Sequence, residues 1–97
     1  MSTLSDTELA ARLQKLSGWQ QTTEGGKSAI EKTFHTGDFL RGLAFVTRVA
    51  VLAERANHHP DVTLTYPRVR LRLTTHDAGG VTEKDLALAA EIDALPN

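Results

Sequence analysis

The chain has 97 residues, 40% apolar and 24% charged, and eleven Lys+Arg against twelve Asp+Glu give a formal net charge of −1. That is one domain's length with apolar content enough for a modest core. It excludes a disordered chain and offers no global basic field for nucleic acid. With no cysteine there is no disulfide, thiolate metal site or cysteine nucleophile, and no apolar run approaches the roughly 18 residues that span a bilayer.

Met1 to Asp6 holds no basic stretch followed by an apolar one, so no secretory signal is visible and a cytoplasmic location is expected. Ser5 and Glu8 have the spacing of a capping box, with Leu4 and Leu9 placed to staple across the first turn. A helix is expected from Ser5 to Leu16, its apolar face formed by Leu9, Leu13 and Leu16. Gly18 suits the left-handed end of that helix. Two strands are expected next, Trp19 to Thr23 and Ser28 to Thr36, around the hairpin residues Glu24-Gly25-Gly26-Lys27. Lys32 interrupts their alternation, because it falls on the face of Ile30 and Phe34.

Asp38 is a good N-cap for a long helix reaching about Asn57. Its apolar face is read as Phe39, Leu43, Val46, Ala50 and Ala53, widened by Leu40, Phe45, Val49 and Leu52. A stripe that wide exceeds what one sheet covers, which suggests a second packing partner. Pro60 closes the segment. Val62, Leu64 and Tyr66, then Val69, Leu71 and Leu73, alternate with polar residues and make an antiparallel pair with a turn at Pro67-Arg68, Tyr66 anchoring the core. Gly79-Gly80 breaks the last strand. Thr82 and Asp85 form a second capping box for a helix ending near Ala94. The order α-β-β-α-β-β-α describes an α+β domain over residues 1–97, a four-stranded antiparallel sheet with three helices on one face.

Four histidines are the one surplus in the composition. His58 and His59 lie at the exit of the long helix, and Glu54 stands at i, i+4 from His58, where a carboxylate can orient an imidazole. His76 ends the last strand, and an antiparallel sheet can bring that end beside the His58-His59-Pro60 corner. Three imidazoles there suit proton transfer near neutral pH. Spacing alone leaves other readings open. Adjacent histidines at a helix exit also occur as solvated turns. Metal ligation has admissible residue types, but the H-x-x-x-H spacing that puts two ligands on one helical face is absent. Arg68, Arg70 and Arg72 form an alternating row without an aromatic ladder, so they read as a solvated strand face rather than a nucleic-acid track. His35 has no evident partner.

Glu54, His58-His59-Pro60, Tyr66, His76 and Asp85, with Gly18-Trp19, Phe34-His35, Asp38-Phe39 and Phe45-Val46-Thr47-Arg48-Val49-Ala50, make the chain resemble the pterin-4a-carbinolamine dehydratases over almost its whole length. The resemblance implies the same sheet-and-helix fold, dimers through sheet extension and tetramers through the long helix. It also implies dehydration of 4a-hydroxytetrahydrobiopterin to quinonoid dihydrobiopterin in tetrahydrobiopterin recycling, with no metal and no organic cofactor. His58, His59 and His76 would carry the proton traffic: His59 as acid on the leaving hydroxyl, His76 taking the N5 proton, His58 holding and polarising the ring. Glu54 would support them. Asn57 and Thr74-Thr75-His76-Asp77 would line the pterin pocket, and Asp85 would cap the last helix rather than touch substrate. Asn57, Val62 and Lys84 depart from residues common in the family. Relatives of this fold also act as coactivators or enzyme assembly factors, so an oligomeric interaction module is the alternative function.

Overall fold

A computed structural model describes residues 2–96, and within it both capping boxes form as the sequence spacing requires. Ser5 accepts from the Glu8 N–H while Glu8 reaches back to Ser5, starting helix α1 (Asp6–Leu13). Thr82 and Asp85 do the same for helix α3 (Glu83–Asp93). Between them lie strands β1 (Gln20–Glu24) and β2 (Lys27–His35), helix α2 (Phe39–Ala56), and strands β3 (Asp61–Thr65) and β4 (Arg68–Leu73). A 3-10 turn at His76–Ala78 precedes α3. The element order is α-β-β-α-β-β-α, as the periodicity indicates. No helix among the described residues is long and apolar enough to cross a membrane.

All neighbours in the sheet are antiparallel, in the order β1-β2-β4-β3. Gly25 and Gly26, both at positive φ (59° and 79°), close the β1–β2 hairpin, the conformation a two-residue loop demands. Ile30, Phe34, Val69, Leu71 and Leu73 point into the core, where Leu9 of α1, Phe45 and Val49 of α2, and Leu86, Leu88, Ala89 and Ile92 of α3 meet them. The opposite sheet face holds Thr33, His35, Arg68 and Arg70 in solvent. The arginine row is thus a solvated face, and Arg72 within it lies between Glu31 and Asp61.

Three local expectations need correction. α1 stops at Leu13, and Leu16 lies in the turns that follow it, still partly buried against the core. The reversal between β3 and β4 occupies Tyr66 and Pro67, so Tyr66 is a turn residue, 71% exposed, and does not anchor the core. In α2 the buried positions are Gly42, Phe45, Val49 and Ala53, while Phe39, Leu43 and Ala50, read as the core face, are exposed. The helix does carry two apolar faces, and the core takes Phe45 and Val49, first read as flanking, together with Ala53 of the expected face, while Leu40 stays exposed. Lys32, as its place in the alternation indicates, lies on the core side of β2. There its ammonium meets Asp93 at 2.9 Å and sits 4.8 Å from the Phe34 ring centroid.

Candidate functional site

α2 ends at Ala56 because Asn57 turns left-handed (φ 49°, ψ 43°), a conformation asparagine tolerates better than most side chains. The His58 N–H still bonds the Ala53 carbonyl at 3.1 Å, and the chain then leaves through His59 and Pro60 into β3. Asp61 pairs with Arg72, so the start of β3 lies beside the end of β4. Just past that end come Thr74, Thr75 and the 3-10 turn, knotted by the Thr75 carbonyl accepting from the Ala78, Gly79 and Gly80 N–H groups. This register brings His76 to the His58-His59 corner. His76 sits in the turn, however, and not on the strand itself.

The three histidines share a cavity of about 310 Å³, lined by Asn57, His58, His59, Thr74, Thr75, His76, Asp77 and Lys84. All of the expected site residues line it except Glu54, which reaches it only through His59. A groove of about 370 Å³ between α1 and α3 is slightly larger, but apolar residues make most of its wall and its Arg12 and Glu83 satisfy each other at 2.7 Å. Three of the four histidines gather in the histidine cavity.

Each imidazole has a different environment. His58 Nε2 lies 2.5 Å from Asp85 Oδ1, with the carboxylate fully buried and the His58 side chain 11% exposed. The other Asp85 oxygen accepts from the Thr82 N–H at 2.9 Å and the Thr75 hydroxyl at 2.7 Å. A carboxylate in that position only accepts, so Nε2 carries the ring proton and Nδ1 is the nitrogen left for a ligand. His59 Nε2 lies 2.5 Å from Glu54 Oε2, both side chains more than half exposed. His76 is exposed, and its ring makes no hydrogen bond among the described residues. The anticipated Glu54–His58 pair is therefore replaced by Glu54–His59. An i, i+4 contact needs the helix to continue, and the left-handed Asn57 swings His58 off that face toward α3.

Asp85 caps α3 as expected and also fixes His58, a second duty that the capping spacing does not reveal. The Thr75 hydroxyl is committed to Asp85, and that of Thr74 donates to the Ser28 carbonyl at 2.8 Å. The Thr75 backbone is engaged as well, its N–H donating to the Gly80 carbonyl at 3.1 Å. Lys84, in the first turn of α3, adds the cavity's ammonium; only its place inside the capping box hints at this in sequence. Among the described residues, no group of three histidine or carboxylate side chains is arranged to hold a metal ion.

Comparisons with known proteins point to one family. The family described as pterin 4 alpha carbinolamine dehydratase matches residues 2–95. A Chloroflexus aurantiacus protein named "Putative pterin-4-alpha-carbinolamine dehydratase" is 50% identical over 95 residues, 98% of each chain. A Gloeobacter violaceus relative bearing the same name with the suffix 2 is 47% identical over 92 residues, 95% of this chain and all of its own. Among solved structures, a transcriptional coactivator/pterin dehydratase from Brucella melitensis superposes with a TM-score of 0.87 at 35% identity, covering 96% of this chain and 97% of its own. A pterin dehydratase-like protein described as a RuBisCO assembly factor in the alpha-carboxysome shares the fold, with a TM-score of 0.66 at 24% identity over 79% of this chain and 87% of its own. The match along nearly the full chain, on a fold that gathers the three histidines at one cavity, places the protein in the pterin-4-alpha-carbinolamine dehydratase family.

Proposed function

We propose that the chain dehydrates a 4a-hydroxytetrahydropterin to the quinonoid dihydropterin, as one step of tetrahydropterin recycling. The C4a–O bond breaks, the oxygen leaves as water with a proton supplied by an acid, and loss of the N5 proton leaves a C4a=N5 double bond. His59 is the acid on the leaving hydroxyl and Glu54 orients its ring. His76, whose nitrogens are free of protein partners, takes the N5 proton. His58, pinned through Nε2, offers Nδ1 as a fixed acceptor to a ring N–H. Positioned proton donors and acceptors of this kind contribute about 10²–10⁴-fold each.

The observation behind the reading is the meeting of three imidazoles, two held by carboxylates and one free, at a single ring-sized cavity. Following the ultraviolet decay of freshly generated carbinolamine tests it. Purified protein accelerates the decay, and a variant with His59→Ala and His76→Ala together does not. No acceleration by the unmodified protein sinks the proposal.

A second reading, self-association and partner binding through α2, is favoured by the outward side of that helix. Phe39, Leu40, Leu43 and Val51 are 47–74% exposed there, an apolar face of the kind that marks an interface. We read it as joining copies of this chain into a dimer or tetramer. Leu40→Asp then lowers the mass seen in sedimentation while the monomer stays folded; an unchanged mass removes α2 from the interface.

A further inference from the structure

Among the described residues, three of the four buried polar side chains, Thr75, Thr82 and Asp85, form one cluster behind the histidine cavity, and Thr82 is fully buried. Thr75 lines that cavity, whereas Thr82 and Asp85 do not. We propose that Thr75 and Thr82 are positioning residues of the histidine site, their hydroxyls holding the Asp85 carboxylate, and through it the His58 ring, in one orientation. The catalytic consequence rests on the dehydratase reading; the arrangement of the ring does not.

Proton counting gives the cluster a single direction. Thr75 Oγ1 lies 2.7 Å from Asp85 Oδ2 and 2.8 Å from Thr82 Oγ1. A carboxylate only accepts and a threonine hydroxyl has one proton to donate. The Thr75 proton therefore goes to Asp85, and the Thr82 proton makes the contact between the two hydroxyls. The Thr82 oxygen accepts in turn from the Lys84 N–H at 3.3 Å. In the reverse order the Thr82 proton would have no acceptor among the described residues, and two oxygens would face each other without a proton between them. Burial makes both faults costly. The chain thus runs from the Lys84 N–H through Thr82 and Thr75 to Asp85, where the His58 ring meets it from the other side.

Capping alone does not call for this chain. An N-cap needs an oxygen that accepts from the first turn, and asparagine or aspartate supplies one as well as threonine does. Thr82 also donates, and that proton aims the Thr75 hydroxyl. The Thr75 backbone is itself fixed, its N–H and carbonyl both engaged with Gly80. With Oδ2 held by the Thr82 N–H and the Thr75 hydroxyl, the carboxylate is kept from rotating with a drifting imidazole. His58 needs such an anchor, because it follows the left-handed Asn57 in the exit from α2 and belongs to no helix or strand. Misplacing a reacting group by about 1 Å can cost on the order of 10²-fold in rate.

Thr75→Val and Thr82→Val keep the side-chain shape and remove the hydroxyl, while Thr75→Ser and Thr82→Ser keep the hydroxyl. Ser5→Ala, which removes the cap of α1, is the control for losing a cap elsewhere. The readouts are solvent exchange of the His58 Nε2–H proton, followed by NMR, and kcat/KM for carbinolamine decay, with circular dichroism to check folding. Thr75→Val should speed exchange about tenfold and Thr82→Val about threefold, the direct and the once-removed loss of a hydrogen bond, and kcat/KM should fall by similar factors. Both serine variants and Ser5→Ala should keep the readouts of the unmodified protein. In that protein the Thr75 and Thr82 hydroxyl protons should give slowly exchanging signals, which tests the chain even where a valine variant does not fold. Valine variants that match Ser5→Ala, serine variants as impaired as valine, faster exchange with native kcat/KM, or hydroxyl protons that exchange freely with water overturn the proposal. The expected exchange pattern in a protein unable to accelerate carbinolamine decay would sink the dehydratase reading and leave the anchoring of His58 standing.

Discussion

Asp85→Asn separates the two duties of one buried side chain. The native carboxylate accepts three hydrogen bonds, from the Thr82 N–H, the Thr75 hydroxyl and the His58 ring. An amide of the same shape has one accepting oxygen. Set where it keeps the Thr82 N–H and the Thr75 hydroxyl, it turns its NH2 toward His58 Nε2, and two donors then face each other. The ring resolves the clash by moving its proton to Nδ1, which converts the nitrogen left for substrate from acceptor to donor. Replacing a charge-assisted bond by a neutral one costs about 1–2 kcal/mol, or roughly 4–8 °C in Tm per kcal/mol for a domain of this size. The substrate contact fares worse, because a matched hydrogen bond becomes a mismatched one. A loss of about 2–3 kcal/mol lowers kcat/KM on the order of 10²-fold. Carbinolamine decay measures the rate, thermal unfolding the stability, and nitrogen-15 spectra of the imidazole the tautomer. A variant with native kcat/KM, or one whose ring still carries its proton on Nε2, refutes the reasoning.

Three more outcomes follow from the packing. A Cβ at Gly42 would stand 2.8 Å from Leu64 Cδ1 and 3.1 Å from Thr36 Oγ1, so overpacking of about 1–3 kcal/mol outweighs the roughly 0.5–1 kcal/mol gained in helix propensity. Gly42→Ala should therefore lower Tm, and a rise would show that the α2–β3 contact yields freely. Asn57→Ala, forced into the left-handed region, should lose about 1 kcal/mol, whereas Asn57→Gly should lose none; equal losses in denaturant titration would dismiss the backbone explanation. The Arg12 guanidinium, hydrogen-bonded to Glu83 at 2.7 and 2.8 Å, holds that carboxyl below the ordinary carboxylate value. A carboxyl lowered on folding adds stability that is present above its unfolded value and is lost as pH falls through the folded one. An NMR titration should place Glu83 below an ordinary glutamate and return it to normal in Arg12→Gln; an unshifted Glu83 in the native protein contradicts the pairing.

Local signals in the sequence were the ones the structure kept. Both capping boxes, the glycine-paired hairpin and the period-two run at Val69, Leu71 and Leu73 stand where spacing put them, because each depends on residues a few positions apart. The histidine corner was legible too, since antiparallel pairing of two adjacent strands is enough to bring His76 back to His58 and His59. Which carboxylate serves which ring was not. That choice turns on the single left-handed residue Asn57 and on the approach of α3, whose distance from α2 no spacing encodes. The core face of α2 was misread for a related reason: a helix apolar on two sides gives no periodic clue to which side the sheet takes. Tyr66 looked like a strand residue by alternation, yet the reversal needed two positions and used it as one.

Lys32 gives the sheet a means of choosing its own alignment. A strand slipped by one residue turns every side chain over, and in β2 that would aim Glu31 and Thr33 at the core and leave Asp93 facing no cation. Ile30 and Phe34, buried in the native alignment, oppose the slip because it would turn them to solvent. An ammonium held by one carboxylate, which also accepts from the Trp19 indole N–H at 3.0 Å, adds to that discrimination, because the slip breaks the pair and turns the Glu31 carboxylate inward in place of the cation. The pair that breaks the hydrophobic pattern of β2 thus works in the same sense as the apolar residues on either side of it.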